Sequence, residues 1–299
     1  MDSYFLYIAS RLEKLRRDKD ANNRSGSWFG ELKQLQFWRA VAAECVATLF
    51  VVFVGTMSKV DITQPVDVTI KFIRVGLTFG LITTVCIQII GHVSGGHMNP
   101  AVSIAMAVAM EISPLRAVMY TAAQCLGGML GSLLLKGVTP SYLHGNLAVT
   151  RVHEGLSGGQ GFACEFVFTF LLLTSIFACT DTNRTLCGSP ALGIGITVGV
   201  IHLAGIPFTG ASMNPARSLA SAVVSRDFRD LWVYWVGPVL GGCVAAGVYK
   251  YIFLPYKGFA TFPEAEKELA NAADVIVIPR SFSNDDVTRI KGRLEISKI

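Results

Sequence analysis

The sequence predicts an all-α membrane protein, with six transmembrane helices plus two re-entrant half-helices in an inverted repeat. Three observations predict it. Of 299 residues, 52% are hydrophobic and only 16% charged, with a mean hydropathy of +0.48. A soluble domain usually carries about 25% charged residues, and one of this length would have to bury an improbable share of its surface. Six apolar stretches are long enough to cross a bilayer, and the tetrapeptide Met-Asn-Pro-Ala occurs twice, each time before a much shorter apolar stretch. The composition alone excludes an ordinary cytosolic enzyme.

A helix needs about 20 apolar residues to cross a hydrocarbon core of roughly 30 Å. The stretches that qualify are about Trp38–Met57, Ile70–Ile90, Leu115–Leu135, Gly161–Thr180, Pro190–Pro207 and Leu231–Leu254. Charge gathers before residue 40 and after residue 255. The chain therefore divides into an N-terminal tail (1–36), a membrane domain (37–255) and a C-terminal tail (256–299). The domain's first repeat runs over about 37–136 and its second over about 160–255. No run resembles a cleaved signal peptide, because the basic residues of the first twenty follow the short apolar stretch instead of preceding it. An even number of spans puts both tails on one side. Arg11, Lys14, Arg16 and Arg17 in one tail and Arg280, Arg289, Lys291 and Arg293 in the other assign that side to the cytoplasm. The net charge of +5 thus reads as topology and as contact with anionic lipid, not as nucleic-acid binding.

Each half of the membrane domain repeats the other. Gly80–Ala105 superposes on Gly195–Ala220 with a shift that aligns the two Met-Asn-Pro-Ala cores. Tyr120…Leu126-Gly127-Gly128 matches Tyr234…Leu240-Gly241-Gly242, and Ala43-Glu44-Cys45-Val46 parallels Cys164-Glu165-Phe166-Val167. Each half holds three spans. Three is odd, so the second half enters the membrane from the opposite side, an arrangement associated with a pathway at the repeat interface.

The stretches Ala101–Met110 and Ala216–Val224 after the motifs are each about half the length needed to cross. Asn is among the best helix N-caps and Pro suits the first helical position. Asn99-Pro100-Ala101 and Asn214-Pro215-Ala216 therefore read as two helix starts that meet near the midplane from opposite faces. Two N-termini, each with roughly half a positive charge, would repel cations there, while the Asn amides donate to a passing water. Irregular backbone at this depth is tolerated only inside protein or along a water-filled cavity.

With these landmarks the sequence resembles an aquaporin of the major intrinsic protein family, over about residues 36–255. The resemblance is carried by Ala43-Glu44, by Ser94-Gly95-Gly96-His97-Met98-Asn99-Pro100-Ala101-Val102, by Ala123-Gln124-Cys125-Leu126-Gly127 and by Thr209-Gly210-Ala211-Ser212-Met213-Asn214-Pro215-Ala216-Arg217-Ser218. It implies the aquaporin fold, with one pore per subunit and a homotetramer, a lipid-embedded protein of the plasma membrane, and water as the permeant. It puts the narrow selectivity filter at Phe79, His202, Ala211 and Arg217, the pattern of water-selective members of the animal brain-type subgroup. Phe79 and His202 are bulky enough to narrow the opening towards a single water of about 2.8 Å. Arg217 adds a fixed positive charge, and both His202 and Arg217 are expected to offer donors. Glycerol-conducting relatives usually carry a smaller residue at position 202, Gly near 211 and Asp at 218. Ser218, Ala222 and Tyr234-Trp235 depart from that pattern. Ala211, where many water channels have Cys, implies weak block by mercurials.

The remaining residues take supporting roles. Glu44 and Glu165 occupy equivalent places. Bracing of the non-helical loops is favoured over a proton relay, because unpaired backbone groups in a membrane are costly. His97 and His92 are placed towards the cytoplasmic mouth, as pore lining first and as a pH gate second. Gly127, Gly128, Gly131, Gly241, Gly242 and Gly247 are read as close helix crossings. The seven cysteines, including Cys187 in a cytoplasmic loop, read as free thiols without metal or disulfide chemistry. The sequons at Asn23 and Asn183 fall on the cytoplasmic side and are expected to stay unmodified. Residues 2–17 have the spacing of an interfacial helix, equally a disordered tail. The ending Ser297-Lys298-Ile299 resembles a ligand for PDZ domains. Ser113, Thr185, Ser281 and Ser283 are open to phosphorylation, with nothing to single one out.

No nucleophile–base pair, phosphate loop or metal cluster points to an enzyme, and no cofactor is expected. Besides a water channel, a glycerol or small-solute facilitator and a junction or scaffold protein on the same fold remain alternatives. A secondary transporter is disfavoured, because only Arg217 lies near the proposed substrate path.

Overall fold

A computed structural model describes residues 28–62, 67–145, 147–181 and 188–253. The amphipathic stretch 2–17, Ser297-Lys298-Ile299, Ser281, Ser283, Thr185, Cys187 and both sequons lie outside the described residues. Among those described, the fold is all-helical, with eight α-helices. They are α1 (Leu35–Met57), α2 (Val68–Ser94), α3 (Pro100–Val108), α4 (Pro114–Val138), α5 (Gly158–Thr180), α6 (Pro190–Thr209), α7 (Pro215–Ser225) and α8 (Val233–Val248). A short 3-10 helix, Trp28–Lys33, precedes them, and a π-helical turn, Tyr249–Phe253, extends α8. Six are long and apolar enough to cross a membrane: α1, α2, α4, α5, α6, and α8 with its extension.

The ends of the helices follow from local chemistry. Asp67 caps α2, Ser113-Pro114 starts α4, and Ser157 with Gln160 forms a reciprocal capping box on α5. The half-helices α3 and α7, with 9 and 11 residues, begin at Pro100 and Pro215, with Asn99 and Asn214 as N-caps. Most boundaries shift by a few residues from those expected, and two of the shifts set where the central loops begin. Helix α2 is 27 residues long and runs on to Ser94, where Gly95 in the left-handed conformation closes it. Helix α6 passes through Pro207 to Thr209 before Gly210 closes it in the same way.

The repeat is visible in the packing. Helix α1 packs on α4 and its counterpart α5 packs on α8, while α2 and α6 pack on each other. A Cβ on Gly127 would lie 2.0 Å from the Cys45 carbonyl oxygen, and one on Gly241 would lie 2.2 Å from that of Phe166. Gly131 meets the Leu49 carbonyl in the same way, at 2.5 Å. The next residue along, Gly128 or Gly242, sits against the first turn of the other half's short helix, at Ala216 and Ala101 respectively. Each half thus holds the half-helix of the other. Gly247 departs from the expected crossing, because a Cβ there would meet nothing within 4 Å.

The polarity of the body is inverted relative to a soluble domain. Glu44, Gln124, Glu165 and Arg217 are buried, whereas Ile73, Leu77, Leu81, Val85 and Ile89 line the exposed face of α2. An apolar outer face is stable only in contact with lipid or a like surface.

Gly127→Ala and Gly241→Ala are therefore each expected to cost about 1–3 kcal/mol by overpacking against backbone. Gly247→Ala should stay within about 0.5 kcal/mol. Thermal melting of purified protein in detergent checks this, and equal losses at all three positions would refute the close-crossing account.

Candidate functional site

The two non-helical loops leading into α3 and α7 form the centre of the molecule. Neither has a sheet or helix to satisfy its backbone, so a buried carboxylate does it. Glu44 accepts from the backbone N–H of His97 (2.9 Å) and Met98 (2.5 Å), from Ser94 Oγ (2.6 Å) and from Gln124 Nε2 (2.8 Å). Glu165 accepts from the N–H of Ser212 (2.9 Å) and Met213 (2.7 Å) and from Thr209 Oγ1 (2.6 Å). The Tyr120 hydroxyl donates to the Ser94 carbonyl and the Tyr234 hydroxyl to that of Thr209, so the spent ends of α2 and α6 are held alike.

Met98 and Met213, with φ of 51° and 54°, occupy the left-handed region, which costs a non-glycine residue about 1–3 kcal/mol. That turn points each Met carbonyl at the opposite loop. Asn99 Nδ2 donates to the Met213 carbonyl (2.8 Å) and Asn214 Nδ2 to that of Met98 (2.9 Å). Each Asn Oδ1 meanwhile accepts from the N–H two residues on, at Ala101 and Ala216. The side-chain oxygen caps its own half-helix, and one amide hydrogen ties the two loops together. The second amide hydrogen remains for a ligand.

A cavity of about 140 Å³ passes both Asn residues. Phe79, His202 and Arg217 line one part of it, and Ile87, Thr180, Pro190 and Ile194 line another. The rings of Phe79 and His202 stack with centroids 4.4 Å apart, and the Arg217 guanidinium carbon lies 5.9 Å from the Phe79 centroid. Arg217 is fully buried. It donates through Nη2 to the Ala148 carbonyl (2.7 Å) and through Nη1 to Ser221 Oγ (3.0 Å), and its Nε has no protein partner. Ala211, expected as the fourth filter residue, is fully buried and absent from the cavity wall, which corrects that expectation.

Two further expectations need correction. His202 Nδ1 lies 2.9 Å from the Val198 carbonyl. A carbonyl only accepts, so the proton sits on Nδ1, and the neutral ring presents Nε2 as an acceptor instead of a second donor. His97 lines the cavity, with Nδ1 3.1 Å from Ser103 Oγ, but His92 does not. The wall uses Phe79, Thr83 and Ile87 of α2. At about 100° per residue, position 92 has turned well off that face, and His92 is exposed.

The structure adds residues that the motifs did not reveal. Leu147 and Ala148 have φ of 41° and 61°, which turns the Ala148 carbonyl onto Arg217. Thr150 Oγ1 lies 2.8 Å from Ser218 Oγ, which lies 2.6 Å from Ser212 Oγ, and this hydroxyl chain fastens the same loop to α7. Asp227, bonded by Arg151 and Arg229, fastens it again, and those bonds hold its carboxyl well below the usual carboxylate range. The available signal was length: an ordered loop beyond about 12–15 residues is usually functional. Gly55 was missed too, although a Cβ there would lie 2.4 Å from the Phe79 ring.

Comparison with known proteins agrees with this architecture. The chain matches the model of the major intrinsic protein family over residues 31–249. It is 45% identical over 223 residues to aquaporin-4 of Bos taurus, covering 73% of this chain and 68% of that protein. It is 44% identical over 226 residues to aquaporin-2 of Bos taurus (75% of this chain, 82% of that protein). It is 44% identical over 227 residues to the lens fiber major intrinsic protein of Lithobates pipiens (75% and 85%). The crystal structure of the aquaglyceroporin from Plasmodium falciparum superposes with a TM-score of 0.65 at 24% identity, over 73% of this chain and 98% of that one. At that identity the likeness speaks to the fold alone.

Replacing either carboxylate by its amide puts an NH2 donor where an accepting oxygen had faced donors, and those donors lose their acceptor. Glu44→Gln and Glu165→Gln are each expected to lose about 1–3 kcal/mol of stability, read as a lower melting point and folded yield. Unchanged melting together with altered proton flux would favour the relay instead.

Proposed function

The chain belongs to the major intrinsic protein family, and on that footing we propose that it is a water-selective channel. Water passes in single file down an osmotic gradient, and protons and ions are excluded. The observation that carries this reading is the meeting of Phe79, His202 and Arg217 at one part of a cavity that also passes both Asn residues.

The physical sequence is short. The stacked rings of Phe79 and His202 fill the space that a bulkier solute needs. Arg217 Nε donates to a water oxygen and His202 Nε2 accepts a water hydrogen, so a single water replaces its lost bulk partners. Further in, the free amide hydrogens of Asn99 and Asn214 donate to the water oxygen. Caps and dipoles of α3 and α7 put positive potential on both sides of that point. A water held there by its oxygen has no acceptor to which it can pass a proton, and a cation is repelled. Glu44 and Glu165 brace the loops that hold these groups; their lone pairs face backbone N–H groups and not the cavity.

The protein is an integral multi-pass membrane protein. We place both termini in the cytoplasm, on the basic residues of the tails, and the Arg217 mouth outside. The plasma membrane as location, a homotetramer and a PDZ-type partner at Ser297-Lys298-Ile299 belong to the same proposal. Glycerol transport is disfavoured by His202 and by Ser218, whose hydroxyl is committed to Thr150 and Ser212.

Stopped-flow measurements on proteoliposomes test the reading. Osmotic water flux should exceed that of empty vesicles by at least about tenfold, with glycerol uptake near background. Accelerated glycerol uptake would favour the facilitator, and no acceleration of either by folded protein would favour the scaffold. Mercurials should block weakly, since none of the described cysteines lines the cavity.

A further inference from the structure

Lys59 lies just beyond α1 and is half-buried. Its Nζ is 3.7 Å from where a Cβ on Gly210 would stand, and Thr150 Cγ2 is 3.5 Å from the same point. Gly210 directly precedes Ala211, and Thr150 belongs to the loop whose Ala148 carbonyl holds Arg217. The ammonium therefore stands beside Gly210, on the side of that residue that Thr150 also approaches. Among the described residues it makes no hydrogen bond or ion pair. The nearby carboxylate, Asp61, is already shared by Lys71 and Arg74, each at 2.5 Å. Glu165 is committed to the N–H groups of Ser212 and Met213.

We infer that Lys59 is a second determinant of cation exclusion, a positive charge that adds to that of Arg217 beside the proposed filter. The inference rests on the channel reading above. Where protein lowers the local dielectric, one unit charge changes cation access by about tenfold or more. The groups facing the ammonium are Arg217 on α7, Glu165 on α5, His202 on α6 and Lys71 on α2. Burial first, and Arg217 next, hold its pKa well below the ordinary lysine value. Its charge is present below that lowered pKa and is lost as the outside pH rises through it.

The test measures proton flux per unit of water flux in proteoliposomes, because water flux in the same vesicles counts conducting channels. In the Arg217→Val background, Lys59→Met should raise that ratio about tenfold. Lys59→Arg in the same background should not raise it. With Lys59 intact, the Arg217→Val ratio should climb as the outside pH rises through the lowered pKa of Lys59; with Arg at position 59 it should stay level over the same range. If Arg217→Val yields no conducting vesicles, His202→Ala replaces it as the opened background. An equal ratio with Lys and Met at position 59, whether both are leaky or both tight, overturns the inference, as does a leak in Lys59→Arg matching that of Lys59→Met. Failure of the unaltered chain to conduct water would instead overturn the channel reading.

Discussion

Everything in this molecule depends on satisfying backbone polar groups where no water or lipid can do it. Two stretches of chain, 95–99 and 210–214, leave the helical state deep inside the body, and each exposes N–H groups that would cost several kcal/mol if left bare in hydrocarbon. The solution is a pair of buried carboxylates, each on the first long helix of its half, each facing two successive N–H groups. Burying a carboxylate is itself expensive, and these are tolerated because every nearby donor converges on them. The arrangement then dictates the rest. Glu44 must stand beside the loop, so α1 must pass it closely, and Gly127 and Gly131 permit α4 to lie against α1. The same holds for Glu165, α5 and Gly241.

Reciprocity follows from that bracing. With the loops fixed, the left-handed turns at Met98 and Met213 aim their carbonyls across the repeat interface at Asn214 and Asn99. The strain at each turn is offset by an amide bond from the other half. The two halves are thus tied at the centre by a matched pair of hydrogen bonds, as well as by Gly128 and Gly242, which seat the opposite half-helix. Neither half completes its own loop.

Much of this was legible in the sequence, and the reason is physical. The N-cap chemistry of Asn-Pro, the length arithmetic of the short helices and the doubled Glu and Gly positions are local rules that the fold does not override. The stack of Phe79 on His202 was legible only through likeness to a family, since no spacing rule brings α2 and α6 together. What stayed hidden depended on dihedrals and phase. The hydrogen bond from His202 to Val198, which decides the tautomer, is set by ring rotation. The position of His92 off the cavity wall depends on helical phase at the end of α2. The roles of Ala148 and Thr150 come from a loop with no periodicity and no motif.

That loop also explains how a symmetric repeat yields an asymmetric path. At the alignment that superposes the Asn residues, Phe79 corresponds to Ile194, His202 to Ile87 and Arg217 to Val102. All six line the cavity. The repeat therefore lines two equivalent parts of the cavity differently, one aromatic and cationic, the other aliphatic. An Arg cannot be placed at either one without cost, because a buried guanidinium needs acceptors in its own plane. The aliphatic end has none to offer beyond its helices. The Arg217 end has the 139–157 loop, which joins the halves and so has no counterpart in the repeat. Its strained Leu147-Ala148 turn supplies the carbonyl, and Thr150 pins it to Ser218. The buried charge at one part of the cavity is in this sense a property of the linker between the repeats, and the asymmetry of the cavity follows from where that linker folds back.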